Sequence, residues 1–162
     1  MIEIKKLPPE RWQDYRKLRL EALQKDPIAF GSSYEEEFSR TEEFWRNRIG
    51  NMLFAVETDR PVGMVRYAFE TRTKNKHVAG IYAMYVNKEF RNRGIGKRLM
   101  DDVISLIAEN NDIRKIRLSV TPEQVYAVKL YEHSGFKSAG LFTDELCVDG
   151  RSYGEMPMEK FI

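Results

Sequence analysis

Between Tyr85 and Met100 the chain reads YVNKEFRNRGIGKRLM, and within it Arg91, Asn92, Arg93, Gly94, Ile95, Gly96, Lys97 and Arg98 combine four cations with two glycines. An apolar run, GIYAMYV, precedes this segment, and an amphipathic one, LMDDVISLIAEN, follows it. That order predicts a strand, a loop and the start of a helix. The first N–H groups of a helix have no intrahelical acceptor, and the helix dipole favours negative charge there. Glycines without Cβ atoms let a pyrophosphate approach the backbone, and Arg91, Arg93, Lys97 and Arg98 add charge-assisted donors. The chemistry indicated is anion binding. The segment has neither G-x-x-x-x-G-K-[ST] nor the third glycine of G-x-G-x-x-G, so it matches neither the P-loop nor the dinucleotide fingerprint.

Other residues of chemical interest are fewer. His77 and His133 have side chains that titrate near neutral pH. His77 borders the polar stretch TRTKNKH, however, and His133 stands two residues beyond Tyr131 on a helix, so the two face different ways. Cys147 is alone, which excludes an internal disulfide and a Cys/His metal site. Nothing beside it suggests thiol activation. Glu35, Glu36 and Glu37 form an acidic cluster suited either to a cationic amine or to a solvated surface, and Phe30 and Tyr34 line a pocket or pack beneath one.

The elements that position these residues follow from composition and periodicity. At 162 residues, 42% hydrophobic and 32% charged, the chain is expected to form one domain over 1–162 with its own core. Lys+Arg of 27 against Asp+Glu of 25 leaves +2, too little for a global field directed at nucleic acid or membrane. No apolar run approaches the roughly 20 residues that span a bilayer, and MIEIKKLPPE lacks a signal-peptide core, so a cytoplasmic location is expected.

IEIKKL alternates as a strand, and Trp12, Tyr15, Leu18, Ala22 and Leu23 have helical spacing up to Asp26-Pro27. TEEFWRNRIG reads as a second helix with Thr41 as its N-cap. MLFAVET and VGMVRYAFE, separated by Asp59, Arg60 and Pro61, predict an antiparallel hairpin, and HVAGIYAMYV a further strand. A helix carrying Ile95, Leu99, Val103, Ile104 and Ile107, then the strand IRKIRLSV, completes a β-loop-α-β unit whose strands should be parallel. A helix ending at Gly135, a strand-like FKSAGLF and a final SYGEMPMEKFI close a mixed α/β chain. Pro157 predicts that the last strand lies at an edge or contains a bulge, and an edge could serve a homodimer.

Arg91-Asn92-Arg93-Gly94-Ile95-Gly96 resembles the [QR]-x-x-G-x-[GA] signature of the GNAT superfamily of N-acetyltransferases. QVYAVKLYEHSGF, Gln124 to Phe136, is similar to that family's N-x-x-A-x-x-L-Y-x-x-x-G-F block, with Ala127, Leu130, Tyr131, Gly135 and Phe136 in register. The resemblance implies a central mixed, mostly antiparallel sheet flanked by helices, with acetyl-CoA bound at the β-loop-α-β unit. It implies that Met84, Tyr85 and Val86 hold the pantetheine arm by backbone groups, and that Arg91 to Lys97 bind the pyrophosphate. Tyr131 then protonates the departing thiolate, for which a phenol of pKa about 10 suits. The family's cofactor-contacting Asn is here Gln124, whose longer amide takes that place.

The implied reaction is direct transfer of acetyl from acetyl-CoA to a primary amine, on a small molecule or a protein, in a ternary complex. Because an alkylamine of pKa about 10.4 is protonated at neutral pH, a proton acceptor is needed. GIYAMYV and IRLSV contain no carboxylate, which leaves Glu35 to Glu37 or a water as candidates. That gap motivates an alternative, a non-catalytic acyl-CoA-binding module. The basic loop motivates a third, a nucleic-acid contact, which the near-neutral charge disfavours.

Overall fold

Strands covered on both faces read as continuous apolar runs, and every position from Met52 to Val56 is buried. The computed structural model, which describes residues 1–162, shows why. The chain runs through β1 (Ile2–Lys5), α1 (Trp12–Lys25), α2 (Tyr34–Phe38), α3 (Glu42–Ile49), β2 (Met52–Glu57), β3 (Arg60–Phe69) and β4 (Val78–Val86). It continues with α4 (Ile95–Ala108), β5 (Lys115–Val120), α5 (Val125–His133), β6 (Lys137–Ser138), β7 (Phe142–Val148) and β8 (Arg151–Phe161). One sheet takes the order β1-β2-β3-β4-β5-β8-β6, with β7 also pairing β8. Only β4 and β5 pair in parallel. This is the mixed, mostly antiparallel sheet expected.

Period two then divides the core. Leu53, Ala55, Val65 and Tyr67 meet Ile95, Leu99, Val103 and Ile107 of α4 on one face. Met52, Phe54, Val56 and Met64 meet Tyr15, Leu18, Ala22 and Leu23 of α1 and Trp45 and Ile49 of α3 on the other. The caps follow local chemistry. Thr41 accepts from the Phe44 N–H at the start of α3, and Ser33 and Glu36 form a reciprocal capping box on α2.

Several details differ from the sequence expectation. The β2–β3 turn is Thr58-Asp59, both at positive φ (45° and 66°), which places Arg60 and Pro61 inside β3. A two-residue turn with both φ positive matches the strand twist better than the longer Asp59 to Pro61 connection. A strand not anticipated, β7, forms a hairpin with β8 through Asp149-Gly150, again at positive φ. Pro157 is also not on an edge strand, because β8 pairs β5 on one side and β6 and β7 on the other. The Pro157 carbonyl accepts from the Ala139 N–H at 2.8 Å, where the chain leaves the sheet between β6 and β7. Its missing donor therefore falls in the gap between β6 and β7, so β8 meets neither expectation, being no edge and having no bulge at Pro157.

Candidate active site

β4 and β5 are paired only from Val78 to Gly80 against Lys115 to Arg117; beyond that they diverge. The cause lies in β4, where Ala83 adopts φ 54° and the β3–β4 register slips between Met64 and Arg66. The Asn87 N–H donates to Val62 O at 2.8 Å. Ladder alternation then turns the backbone of Tyr85 toward β3 and that of Met84 and Val86 toward the opening. Of the three β4 residues singled out by sequence, Met84 and Val86 present main-chain groups to the gap. Tyr85 is fixed otherwise: its hydroxyl donates to Glu21 Oε1 at 2.9 Å, and burial, reinforced by that carboxylate, pushes its pKa well above the ordinary phenol value.

The loop enters α4 through two left-handed residues, Asn92 (φ 62°) and Gly94 (φ 72°). The first intrahelical bond is Arg98 N–H to Gly94 O, 3.1 Å, and the N–H groups of Ile95, Gly96 and Lys97 have no acceptor within the chain. The two glycines have separate reasons. A Cβ on Gly94 would find nothing within 4 Å, so the requirement there is the backbone angle. At Gly96 a Cβ would sit 3.3 Å from Leu130 and 3.6 Å from Met84, so this glycine lets α4 close against α5 and β4. Gly94→Ala is accordingly expected to cost about 1–2 kcal/mol through left-handed strain alone. A urea midpoint equal to that of the unchanged protein would show that the angle imposes nothing.

The cations of the loop are largely engaged. Arg91 donates to Val86 O (2.8 Å) and Asp26 (2.5 Å), Arg93 to Glu89 O (3.2 Å) and Arg98 to Ile2 O (3.0 Å), while Lys97 pairs with Asp101. These contacts brace the loop against β1, β4 and the end of α1, while the cations keep further donors exposed beside the backbone N–H groups.

Tyr131 lies on α5 with its ring buried and edge-on to Phe136, centroids 6.5 Å apart. Its hydroxyl has no partner in the chain, and burial raises its pKa to about 12. Gln124 stands at the N-cap of α5 without a side-chain bond, its backbone tied to Thr121 O and Val128 N. His133 contacts only Lys129 O on an exposed helix face, the His77 carbonyl joins β4 to β5 by accepting from Arg114 and Lys115, and Cys147 is exposed on β7.

A pocket of about 380 Å³ opens where β4 and β5 part. Ile81, Tyr82 and Ala83 form one wall and Arg117, Leu118 and Ser119 another; Ala29 to Ser32 cover it, and Arg19, Arg48, Arg66, Glu155 and Pro157 complete it. Phe30 lines it beneath the Arg19 guanidinium, 4.6 Å from its ring centroid, whereas Tyr34 stacks on Phe38.

The acidic cluster is not a free base. Glu36 is spent on the cap of α2, Glu35 is exposed, and Glu37 is buried and held by Arg19 (2.9 and 2.7 Å) and Arg48 (3.5 Å). Burial alone would raise the Glu37 carboxyl, but the bonds and charge of Arg19, with Arg48 behind them, bring it below its ordinary value. Glu37→Gln should therefore cost about 3–5 kcal/mol at neutral pH, because it leaves buried guanidiniums unpaired. A carboxyl lowered on folding stabilises above its unfolded pKa of about 4.3, and the contribution is lost as pH falls through the lower folded value. The difference in urea midpoint between the two proteins should thus shrink on acidification.

Sequence reasoning missed four residues of this pocket. Glu155, on β8, places a carboxylate at the pocket, and its pKa is raised by burial and by Glu145. Arg19, Arg48 and Arg66 went unremarked, although Arg19 falls in the apolar stripe of α1 between Tyr15 and Leu23, where a charge is anomalous.

Comparison with known proteins agrees with this architecture. The model of the acetyltransferase (GNAT) family matches residues 11–136. The spermine/spermidine N(1)-acetyltransferase of Bacillus subtilis (strain 168) is 27% identical over 56 residues, 35% of this chain and 37% of that protein. The L-amino acid N-acetyltransferase AaaT of Escherichia coli (strain K12) is 25% identical over 105 residues, 62% of this chain and 64% of that one. Both alignments thus span less than two thirds of the relative's length. A crystal structure of a GNAT-family acetyltransferase from Streptococcus pneumoniae superposes with a TM-score of 0.89 at 20% identity, covering 100% of both chains. With the family model spanning most of the chain and the sheet opening at the expected place, the chain belongs to the acetyltransferase (GNAT) family.

Proposed function

We propose that the protein is an N-acetyltransferase that moves an acetyl group from acetyl-CoA to a primary amine by direct attack in a ternary complex. The observation that carries this is the parting of β4 and β5: a pocket lies between the two strands, and β4 runs on into the unpartnered N–H groups of Ile95, Gly96 and Lys97. Acetyl-CoA, as the second substrate, supplies an activated thioester and fits the residues present. Its pyrophosphate would be taken by the first turn of α4, with Asn92 to Gly94 shaping the approach, and its pantetheine arm by the outward backbone of Met84 and Val86. Gln124, at the N-cap of α5, would offer its unpaired amide to the same cofactor.

Two protons must move. The attacking amine loses one, and Glu155, its carboxyl raised by burial, accepts it in the pocket. The departing thiolate gains one, and the Tyr131 hydroxyl donates it; with a pKa of about 12 it keeps that proton through the physiological range. The alternative of a non-catalytic acyl-CoA-binding module was motivated by the absence of a carboxylate from the central strands, and Glu155 removes that motive.

The test is amine-dependent release of free thiol from acetyl-CoA, with both substrates varied. Intersecting initial-velocity lines are expected for a ternary complex. Parallel lines would point to an acetylated protein residue and contradict direct transfer.

A further inference from the structure

The pocket has an excess of positive charge with nothing in the chain to match it. Arg19 is 4% exposed, and two of its nitrogens hold Glu37 while Nη1 has no partner. Arg48 reaches Glu37 through one nitrogen at 3.5 Å, and its buried Nε is unpaired. Arg66 has no carboxylate partner: it lies over the Tyr82 ring, 5.4 Å from the centroid, with its buried Nε unpaired. Three guanidiniums thus share one carboxylate. Arg117 is already paired with Glu70, and Glu155 is the only carboxylate among the lining residues.

Period two explains how Arg66 arrives there. It follows Met64 on the face of β3 that meets α1 and α3, between the buried Val65 and Tyr67 of the opposite face. Guanidiniums that line a pocket without carboxylates to match them suit an oxyanion, which supplies the missing charge and accepts from their pocket-facing nitrogens. A polycation would meet repulsion from the same groups. The volume, about 380 Å³, fits a small molecule.

We propose that the acceptor is a small primary amine bearing an oxyanion, a carboxylate or a phosphonate, bound by the pocket-lining guanidiniums of Arg66 and Arg48. This rests on the acetyl-transfer reading above and adds the substrate class to it. Arg66 and Arg48 are then specificity determinants, and the amine end of the acceptor lies toward Glu155.

The experiment is steady-state kinetics at saturating acetyl-CoA with the common α-amino acids, their carboxamides, 2-aminoethylphosphonate and spermidine, accompanied by calorimetric titration of acetyl-CoA. At least one anionic acceptor should show a kcat/KM tenfold or more above that of its uncharged counterpart and of spermidine; whether a carboxylate or the phosphonate leads identifies the oxyanion. Arg66→Gln should raise the KM of that acceptor at least tenfold with the KM of acetyl-CoA unchanged. Its Tm should not fall, since the substitution removes an uncompensated charge. Carboxamides or spermidine outperforming every anionic acceptor would overturn the proposal, as would an unaltered preference in folded Arg66→Gln. Acetyl-CoA that binds while no anionic amine is acetylated would overturn it too and leave the transfer reading standing. Failure of acetyl-CoA to bind would remove the transfer reading and this proposal with it.

Discussion

Tyr131→Phe is expected to lower kcat by about 10²–10⁴-fold, the usual contribution of a positioned general acid, while leaving acetyl-CoA affinity unchanged. The substitution keeps the buried ring and its edge contact with Phe136, and the hydroxyl it removes bonds to nothing in the chain. Packing therefore predicts little change in stability, which separates the chemical role from a structural one. The pH profile gives a second readout. Because burial raises the phenol to about 12, its proton is present throughout an assay from neutral to moderately alkaline pH. The unsubstituted protein should show no descending limb from Tyr131 below about pH 11. Unchanged kcat in Tyr131→Phe would exclude this residue as the acid.

Glu155→Gln is expected to reduce kcat/KM at neutral pH by about 10²–10³-fold, the range for losing a general base. The sign of its pH dependence follows from the direction of the shift. Burial and Glu145 raise the Glu155 carboxyl, so its basic form is complete above that raised value and is lost as pH falls through it. The unsubstituted protein should show an ascending limb there. In the variant that limb should move up toward the acceptor amine's own pKa, about 10.4 for an alkylamine, so that activity recovers at high pH. A variant with the original profile would place proton removal elsewhere. The two substitutions act on different protons and should be separable by profile as well as by magnitude.

The turn from β4 into α4 was legible in the sequence because its signals are local. Two glycines at a strand-to-helix junction and the Leu130-Tyr131 and Gly135-Phe136 pairs lie within short stretches, and the periodicity of α4 and α5 gave their faces. The β4 opening was less legible. It arises from a register slip at Ala83, a residue with no compositional mark of positive φ, so the sequence named Tyr85 with Met84 and Val86 although its backbone faces β3.

The pocket between β4 and β5 was hidden for a different reason: its charges come from α1, α3, β3 and β8 and meet only through tertiary packing. Glu37 looked like one of three equivalent acids, and nothing local distinguishes it from Glu35 and Glu36. Arg19 did leave a trace, as a guanidinium at i+4 from Tyr15 in an otherwise apolar stripe. Arg66, inside a strand buried on both faces, left another. The Asp149-Gly150 pair was a local turn signal of the strongest kind, and reading it would have divided the C-terminal region into β7 and β8.

The central claim is that the first turn of α4 and the splayed edge of β4 hold acetyl-CoA. Calorimetric titration of acetyl-CoA into the purified protein, with acetyl-pantetheine run in parallel, tests it most directly. Saturable binding at one site, with acetyl-pantetheine much weaker because it lacks the pyrophosphate, is the predicted result. No heat of binding at millimolar acetyl-CoA, or equal affinity for the two compounds, would contradict it.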